Sequence, residues 1–391
     1  MHSHVDLLIL GGGCAGLSLA SRLAEFGKDA PKVLIIEQRE SYTNDRTWCF
    51  WDIEKPAYQS LTSHAWSKFE VANHPRSNVY NCSQYQYLML ESHHFYENAL
   101  GLIRSNASIQ LLLGQEVLSA PIKMEHGWYI KTGNLEFTAK QVLDTRPPKQ
   151  VSHHDSVLWQ SFVGYEIQTK SDCFSPEQMV LMEFDHTFKS GLAFTYILPT
   201  TEKKALIEYT VFSENRMSEE DLMEGLKKSI GQHIAGSPYK ILRVEHGILP
   251  MGNKLATQNN DSSYLFAGLF EGAARPSSGY AFQRIQSWAN KCAHSMLANN
   301  TLYAFPKEKR LQSFMDGLFL NVIKKNPTIA ASLFEDLFRR CNLKTVVKFM
   351  SDRASSSDCM QIIRALPPKP FIEALPRFII QKISNRLRLT S

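Results

Sequence analysis

Three glycines spaced Gly11-x-Gly13-x-x-Gly16 constrain this chain more than any other feature, because of what flanks them. A run of strand formers, VDLLIL (5–10), ends at Gly11. The stretch CAGLSLASRLAEF (14–26) then carries apolar residues at helical spacing until Gly27 stops it. A second apolar strand, VLII (33–36), leads into Glu37. Strand, turn, helix and strand in that order make a parallel βαβ unit. Within it Gly11 permits the tight turn, Gly13 lets the backbone approach a pyrophosphate, and Gly16 lets helix and strand pack closely. Ala15 is a further small residue at the helix start. The helix N-terminus offers free N–H groups and positive potential to phosphates. Glu37, about twenty residues past the glycines, is placed to accept hydrogen bonds from adenosine ribose hydroxyls. The alternative is a glycine-rich turn in some other α/β protein. The glycines alone do not separate FAD from NAD. Their N-terminal position ahead of a long strand-rich remainder favours FAD, held along its whole length.

Two later segments are candidates to complete such a site. Asp144-Thr145-Arg146 ends the apolar strand QVLD, where Asp144 either reaches the cofactor or makes a strand-to-loop turn. The segment AGLFEGAARPSSGY, ending at Tyr280, brings Gly268, Gly272 and Gly279 before a helical pattern, AFQRIQSWA. Its N–H groups suit a flavin or pyrophosphate, unless it is a glycine-rich loop without a ligand.

The rest of the chain sorts by periodicity. Residues 38–63 read as an irregular connection holding the aromatic cluster Trp48, Phe50 and Trp51, and residues 85–105 as a helix. Short strands follow to about 145, with Gly133-Asn134 as a hairpin turn. Residues 157–212 and 241–270 read as strands. A helix over 217–233 has Ser218 as its cap and acids in its first turn. Another covers 281–299, and helical spacing dominates after 300, in 309–323, 330–340 and 343–350. The expected fold is α/β: a Rossmann-type, glutathione-reductase-like FAD-binding domain interleaved with a strand-rich substrate domain, then a helical C-terminal portion. The expected boundaries are 1–150 and 241–300 for cofactor binding, 151–240 for substrate and 301–391 for the helices.

Composition narrows the function classes. Apolar residues are 43% and charged residues 21% of 391, which excludes a disordered chain. A net charge of +5 is too small to argue for nucleic acid but compatible with an anionic membrane surface. Seven Cys, an odd number with no C-x-x-C pair, suit a reduced, cytosolic chain. No run reaches the eighteen or so apolar residues of a spanning helix. The run Val5–Leu10 lacks a preceding Lys or Arg and reads as a strand rather than a secretion signal. The pairs His93-His94 and His153-His154 lack Cys or carboxylate partners at ligand spacing, so no metal is expected.

Taken together, these segments resemble the bacterial lycopene cyclase family of flavoproteins. The specific points are NDRTWCFW (44–51), LMEFDH (181–186) with FTYILP (194–199), Glu208 in LIEYT, GILPM (247–251) and RPSSGYAFQRIQSWA (275–289). The family's acidic motif commonly has two adjacent acids, and Tyr209 takes the second place here. Related flavoproteins often carry Gly-Asp at the late flavin segment, where this chain has Gly268-Leu269.

The resemblance implies ring closure at the ends of a hydrophobic polyene. A proton adds to the terminal alkene, a nearby double bond attacks the cation, and a second proton leaves. Such a site needs one acid, a dry pocket, and negative or π-electron density. Glu208, on a strand between apolar neighbours, is the candidate acid, since burial would keep it protonated. Asp185 occupies the family's acid position in its segment and ranks second; Glu183, on the same strand face, reads as solvated. By the same resemblance FAD works in its reduced form without net redox turnover, NAD(P)H or a reductase being the electron source. Arg46 joins the candidate cofactor contacts. Trp48, Phe50, Trp51 and Tyr280 either line a polyene tunnel or simply fill core.

A carotene resides in the bilayer, so the resemblance also implies a peripheral protein at the cytoplasmic membrane face. The tail PFIEALPRFIIQKISNRLRLTS places Ile379, Ile383 and Leu387 on one helical face after Pro376, with Arg377, Lys382, Arg386 and Arg388 elsewhere. It either meets a membrane or docks on the core. The rival readings are an FAD-dependent monooxygenase or reductase of an isoprenoid, and a polyene-binding protein without catalysis.

Overall fold

The computed structural model describes residues 3–53, 55–133, 135–148, 157–252, 261–306 and 308–388, with backbone alone at 3 and 384–388. Asn134, His153 and His154 lie outside the described residues, as do the side chains of Arg386, Leu387 and Arg388.

The chain opens as β1 (Ser3–Leu10), α1 (Cys14–Ala24) and β2 (Val33–Ile36). Strands β3 (Thr47–Trp51), β4 (His64–Trp66), β5 (Lys68–Asn73), β6 (Arg76–Asn81) and β7 (Tyr87–Glu91) precede α2 (Ser92–Arg104). Next come β8 (Ile109–Leu112), β9 (Ile122–Met124), β10 (Gly127–Thr132), β11 (Leu135–Asp144), β12 (Leu158–Thr169), β13 (Gln178–Phe184), β14 (Gly191–Pro199) and β15 (Lys204–Ser213). Helix α3 (Glu219–Ile234), β16 (Tyr239–Met251), β17 (Tyr264–Phe266) and α4 (Phe282–Asn299) follow. The chain ends in α5 (Arg310–Lys325), α6 (Ala330–Arg340), α7 (Leu343–Met350), α8 (Ser356–Ala365) and α9 (Pro368–Arg388).

The first sheet runs β8-β2-β1-β11-β10-β9, with β17 also paired to β11. Strands β8, β2, β1, β11 and β17 are mutually parallel. Both faces are buried, which is why Leu7–Leu10 of β1 and all of β2 are unbroken apolar runs. Leu7, Ile9, Val33 and Ile35 face α1, α2 and α4, while Leu8, Leu10, Leu34 and Ile36 face the β9–β10–β11 side with Trp128 and Tyr264. A Cβ at Gly16 would lie 2.1 Å from the Gly11 carbonyl, so glycine is what lets α1 close onto the loop.

The second sheet runs β16-β12-β15-β14-β13-β5-β6 and is antiparallel except at β13–β5. It takes strands from three stretches of sequence, β5 and β6 from before α2 and β16 from after α3. Its two faces separate along β15. Ile207, Tyr209 and Val211 pack under α3 with Leu222, Leu226 and Ile230. Leu206 and Phe212 point the other way, into a core shared with β7 and helices α5 to α8. Ser218 caps α3 in a capping box with Asp221, as the sequence implied.

Three segments differ from the sequence reading. Residues 87–91 are a strand, because YLML is buried between β3 and β4 as the centre of a small third sheet. Residues 47–51, within the expected irregular connection, pair with β7. Helix α9 starts ahead of Pro376 and runs through it. Its Ala374 and Phe378 pack on α5, while Ile372, Ile379, Ile380 and Ile383 are exposed. The docking alternative therefore holds for the Ala374–Phe378 face. No helix among the described residues is long and apolar enough to cross a membrane.

The helical C-terminus is bound to the loop before α4 by one buried guanidinium. Arg275, 1% exposed, donates to Asp352 Oδ1 (2.7 Å), Asp316 Oδ1 (3.3 Å) and the Phe349 carbonyl, and stacks over the Phe349 ring at 4.2 Å. Arg284 of α4 donates to the other oxygen of Asp352 (2.7 Å) and to Glu308. Breaking a buried pair by removing one partner leaves an uncompensated charge. Arg275→Met is therefore expected to cost about 3–5 kcal/mol, read as a lower urea midpoint. An unchanged midpoint would show that the C-terminal helices hold without it.

Candidate active site

The first half of the site is the glycine loop. Gly11 N–H is bonded to the Ile36 carbonyl (2.9 Å), and the first intrahelical bond of α1 is Leu17 N–H to Gly13 O (3.0 Å). The N–H groups of residues 14–16 therefore point out of the helix end. Nothing lies within 4 Å of a Cβ built at Gly13, which leaves the backbone open to approach. Glu37 is buried, accepting from Gly12 N–H at 2.5 Å and Arg39 N–H at 3.0 Å. Gly11, Gly13, Glu37, Arg39, Asp144, Thr145, Arg146 and Phe270 line a cavity of about 720 Å³.

Gly268 sits against Thr145 and Ala15, so the late segment meets the first loop as the sequence suggested. Gly272 O accepts from Arg284 (3.2 Å), and Gly279 packs against Gln160, whose Oε1 is buried without a hydrogen-bond partner. Asp144 lines the cavity with its carboxylate already engaged by Arg146 (2.7 and 2.9 Å) and Tyr264 (2.9 Å), and so acts by orienting Arg146. Arg46 pairs with Asp45 at 2.8 Å, within electrostatic reach of Cys14 in the loop. An open helix N-terminus, a buried carboxylate twenty-odd residues on and a converging late segment fit a dinucleotide such as FAD.

The second half is a pair of acids on the second sheet. In register, Glu208 of β15 and Glu245 of β16 both stand opposite Gly164 of the intervening β12. A Cβ at Gly164 would come 2.8 Å from Glu208 Cγ, so the glycine gives Glu208 room to lean across. Thr210 donates to Glu208 Oε1 at 3.3 Å. Glu245 is 4% exposed; its Oε2 accepts from Arg243 at 2.8 Å and its Oε1 meets no donor. Arg243 also donates to Glu166 (2.9 Å) and Thr47 (2.8 Å), and Glu166 pairs with Lys204 at 2.5 Å.

Lys204, Glu166, Arg243 and Glu245 thus form a charge-balanced row, and Glu208 is the one acid left over. Burial first, and the Glu245 charge second, push the Glu208 carboxyl up to about 8. Its side chain nonetheless keeps some accessible surface. Burial raises Glu245 as well, against the pull of Arg243. With Glu245 compensated by Arg243, Glu208 is left as a neutral acid at neutral pH.

Phenols surround the pair. Tyr196 of β14 is the cross-strand partner of Glu208. Its hydroxyl donates to that of Tyr87 (3.1 Å), which bonds that of Tyr280 at 2.9 Å. Cys49 adjoins Tyr196, and burial pushes its thiol well up. Tyr280, Cys49, Phe50, Trp51 and Phe282 form the inner wall of a second cavity, of about 710 Å³. Trp48 is instead packed among Phe95, Tyr96 and Phe282 and does not line it.

Asp185 is not brought to Glu208. It lies on the α3 side of the sheet, bonded to Tyr209 (2.9 Å), Lys228 (3.1 Å) and Thr187 (2.6 Å). Those bonds outweigh the opposing effect of burial and hold it at about 2, ionised. Strand alternation puts its partner Tyr209 on the face opposite Glu208. Glu183, bonded to His233 (2.6 Å) and His74 (2.8 Å), is likewise held at about 2.

The sequence reading missed Glu245, Arg243, Gly164, Tyr87 and Tyr196. A glycine inside the strand FVGYEI was the available signal for a close approach. Among the described residues one further group of potential ligands, Glu91, His93 and His94, has atoms within 4.8 Å of one another. Asn44 already donates to Glu91 (2.9 Å) and the two imidazoles pack against each other.

The family model described as lycopene cyclase protein matches residues 6–375. A lycopene beta-cyclase of Pantoea ananas is 22% identical over 96% of this chain and 98% of its own length. Another, from a Paracoccus species, is 25% identical over 61% of this chain and 64% of its own. Among solved structures, a geranylgeranyl bacteriochlorophyll reductase-like protein from Thermoplasma acidophilum superposes with a TM-score of 0.66 at 13% identity, covering 97% of this chain and 100% of that one. The halogenase PltM, in complex with phloroglucinol and FAD, gives 0.60 at 11% identity over 92% and 85%. These two likenesses establish the fold, that of FAD-binding flavoproteins.

The acid pair has a consequence for stability. Glu208 holds its proton in the folded chain up to about 8 and releases it near 4.5 when unfolded. The folded state therefore binds more protons between those values, and its stability falls as pH rises through that window. Glu208→Gln removes this dependence. Its unfolding midpoint is expected to match the parent near pH 4.5 and exceed it at pH 8; a variant less stable at pH 8 would rule out a strained acid.

Proposed function

The chain belongs to the lycopene cyclase family, and from that premise we propose that it closes the acyclic end groups of lycopene or a similar polyene without net oxidation. The observation that carries this reading is the neutral acid Glu208, within electrostatic reach of Cys49 on the aromatic wall of the second cavity. An acid that is un-ionised at neutral pH can protonate an alkene, a weak base that no exposed carboxylic acid would serve well.

Glu208 gives its proton to the terminal double bond. Its new negative charge then lies close to the carbocation and stabilises it, with Arg243 preventing the two carboxylates from repelling each other apart. The faces of Trp51, Phe50 and Tyr280 add π-electron density along one wall of the cavity, whose far side is lined by charged groups such as Arg284, Lys291, Glu308 and Asp352. A base accepts the second proton as the ring alkene forms. FAD would be held by Gly11, Gly13, Ala15, Gly16, Glu37, Arg46, Arg146, Gly268, Gly272 and Gly279. When bound and reduced, with NAD(P)H or a reductase as the electron source, it supplies negative charge beside the cation.

The substrate's solubility adds a location: the cytoplasmic face of a membrane, met peripherally. The exposed Ile372, Ile379, Ile380 and Ile383 of α9, beside Arg377 and Lys382, support that reading.

The test is expression in cells that accumulate lycopene. The parent is expected to give cyclised carotene, and Glu208→Gln to lose at least about a hundredfold in rate, the contribution typical of a positioned general acid. Cyclisation by both forms would remove Glu208 from the mechanism. Oxidised or reduced pigment, with NAD(P)H consumed in proportion, would replace the reading with the redox alternative. The purified protein's rate should be flat below about pH 8 and fall above it, as Glu208 loses its proton. Glu245→Gln removes the neighbouring charge, so its fall should begin at lower pH.

A further inference from the structure

Resting on the reading of the substrate as a bilayer-soluble polyene, we propose that the outer rim of the second cavity docks on an anionic phospholipid surface, with Lys55, Lys291 and Lys309 facing headgroup phosphates and the isoleucines of α9 inserted among the lipids beside them. The cavity is graded from end to end. Phe50, Trp51 and Phe282 at its inner end are buried, while Lys55, Lys291 and Lys309 are exposed and so mark its mouth. The inner end reaches the acid through Cys49, which feels the Glu208 charge.

The acids of the wall are already engaged. Glu308 and Asp352 both accept from Arg284, and Asp352 also accepts from Arg275. Lys55, Lys291 and Lys309 make no ion pair among the described residues. The mouth is therefore a positive rim without a counter-charge of its own. A neutral hydrocarbon gains nothing from three ammonium groups, so they answer something anionic that lies outside the cavity. The phosphates of a lipid leaflet fit, since each lysine close to an anionic surface strengthens binding roughly fivefold.

A soluble phosphate would satisfy the lysines but leave the neighbouring helix without a role. Helix α9 runs antiparallel to α5: Phe371 meets Phe319 (ring centroids 6.4 Å), Phe378 meets Phe314 at 5.3 Å, and Lys382 lies over the Phe314 ring at 5.4 Å. The C-terminal part of α9 thus returns to the first turns of α5, whose cap residue, Lys309, is on the rim. Ala374 and Phe378 face α5, which leaves Ile379, Ile380 and Ile383 on the outward side, 43%, 67% and 55% exposed. Leu311, in the first turn of α5, is exposed as well. Apolar side chains next to basic ones are the two components of interfacial binding. Docked in this way, lipid covers the charged mouth, and the polyene passes from the acyl chains to the inner end without entering water.

The test is flotation of the FAD-loaded protein with polyene-free vesicles, either phosphatidylcholine alone or phosphatidylcholine mixed with phosphatidylglycerol. The parent is expected to prefer the anionic vesicles by about tenfold or more. Lys291→Glu with Lys309→Glu should lose at least about 25-fold on them, roughly fivefold for each attraction removed. The same charge change on the far side of the second sheet, Lys227→Glu on α3 with Lys170→Glu near its C-terminal end, should stay within about twofold, because salt screens charges beyond about 10 Å. Ile380→Ser with Ile383→Ser should lose about tenfold on both kinds of vesicle. Should the charge reversals unfold the chain, Lys291→Gln with Lys309→Gln is read in the same way. Equal loss in the two lysine pairs, or no preference for anionic vesicles, overturns the docking. An unchanged isoleucine variant assigns the rim to a soluble phosphate and overturns it too. The vesicles hold no polyene, so the result is independent of ring closure. A protein that docks yet closes no ring in lycopene-accumulating cells overturns the cyclase reading alone; one that closes rings without docking through this rim overturns the docking alone.

Discussion

Two carboxyl groups taken out of water side by side cannot both be ionised, and the site is arranged around that constraint. Glu208 and Glu245 share a row with Gly164 between them, and a larger residue there would collide with Glu208. Arg243 compensates Glu245 and Lys204 compensates Glu166. The row is then neutral only while Glu208 keeps its proton. A fully paired Glu208 would be an inert salt bridge; a fully isolated one would resist giving up its proton at all. The intermediate arrangement leaves an acid strong enough to use and a carboxylate that the surroundings tolerate for the lifetime of a cation.

The sheet's alternation divides the acids by task. Glu208 and Asp185 lie on opposite faces of one sheet, and each face has its own environment. Under α3, Asp185 meets a lysine, a tyrosine and a threonine; it is ionised and ties Tyr209 to Lys228 of α3. On the other face the neighbours are buried phenols, Thr210 and the Arg243–Glu245 pair, and the same chemical group becomes an acid. Tyr209, which takes the place of a second acid next to Glu208, points away from the cavity because adjacent residues on a strand must. An acid there would not have joined the pair, whose second member comes from β16.

The local half of this arrangement was legible in the sequence and the distant half was not. Gly11, Gly13, Gly16 and Glu37 act within one βαβ unit, so spacing along the chain is spacing in space. Glu208 could be singled out by its apolar strand and by family resemblance. Glu245 could not, because its relation to Glu208 depends on the register of two pairings that bring residues 164, 208 and 245 into line. Residues 87–91 merge with the following helix in the sequence pattern for a similar reason. YLMLE suits either periodicity over five residues, and only its burial between β3 and β4 decides for strand.

The aromatic residues show how far packing and chemistry can be told apart. Trp48 and Phe50 both stack on Phe282 of α4, and Trp48 has no other evident task than to seat β3 against the flavin-binding half. Tyr280 lies two residues ahead of Phe282, in the loop that Arg275 pins to the C-terminal helices. That pinning fixes Tyr280 from one side while β7 and β14 fix Tyr87 and Tyr196 from the other. The three hydroxyls can therefore hold hydrogen-bond distance only if both halves of the molecule are assembled.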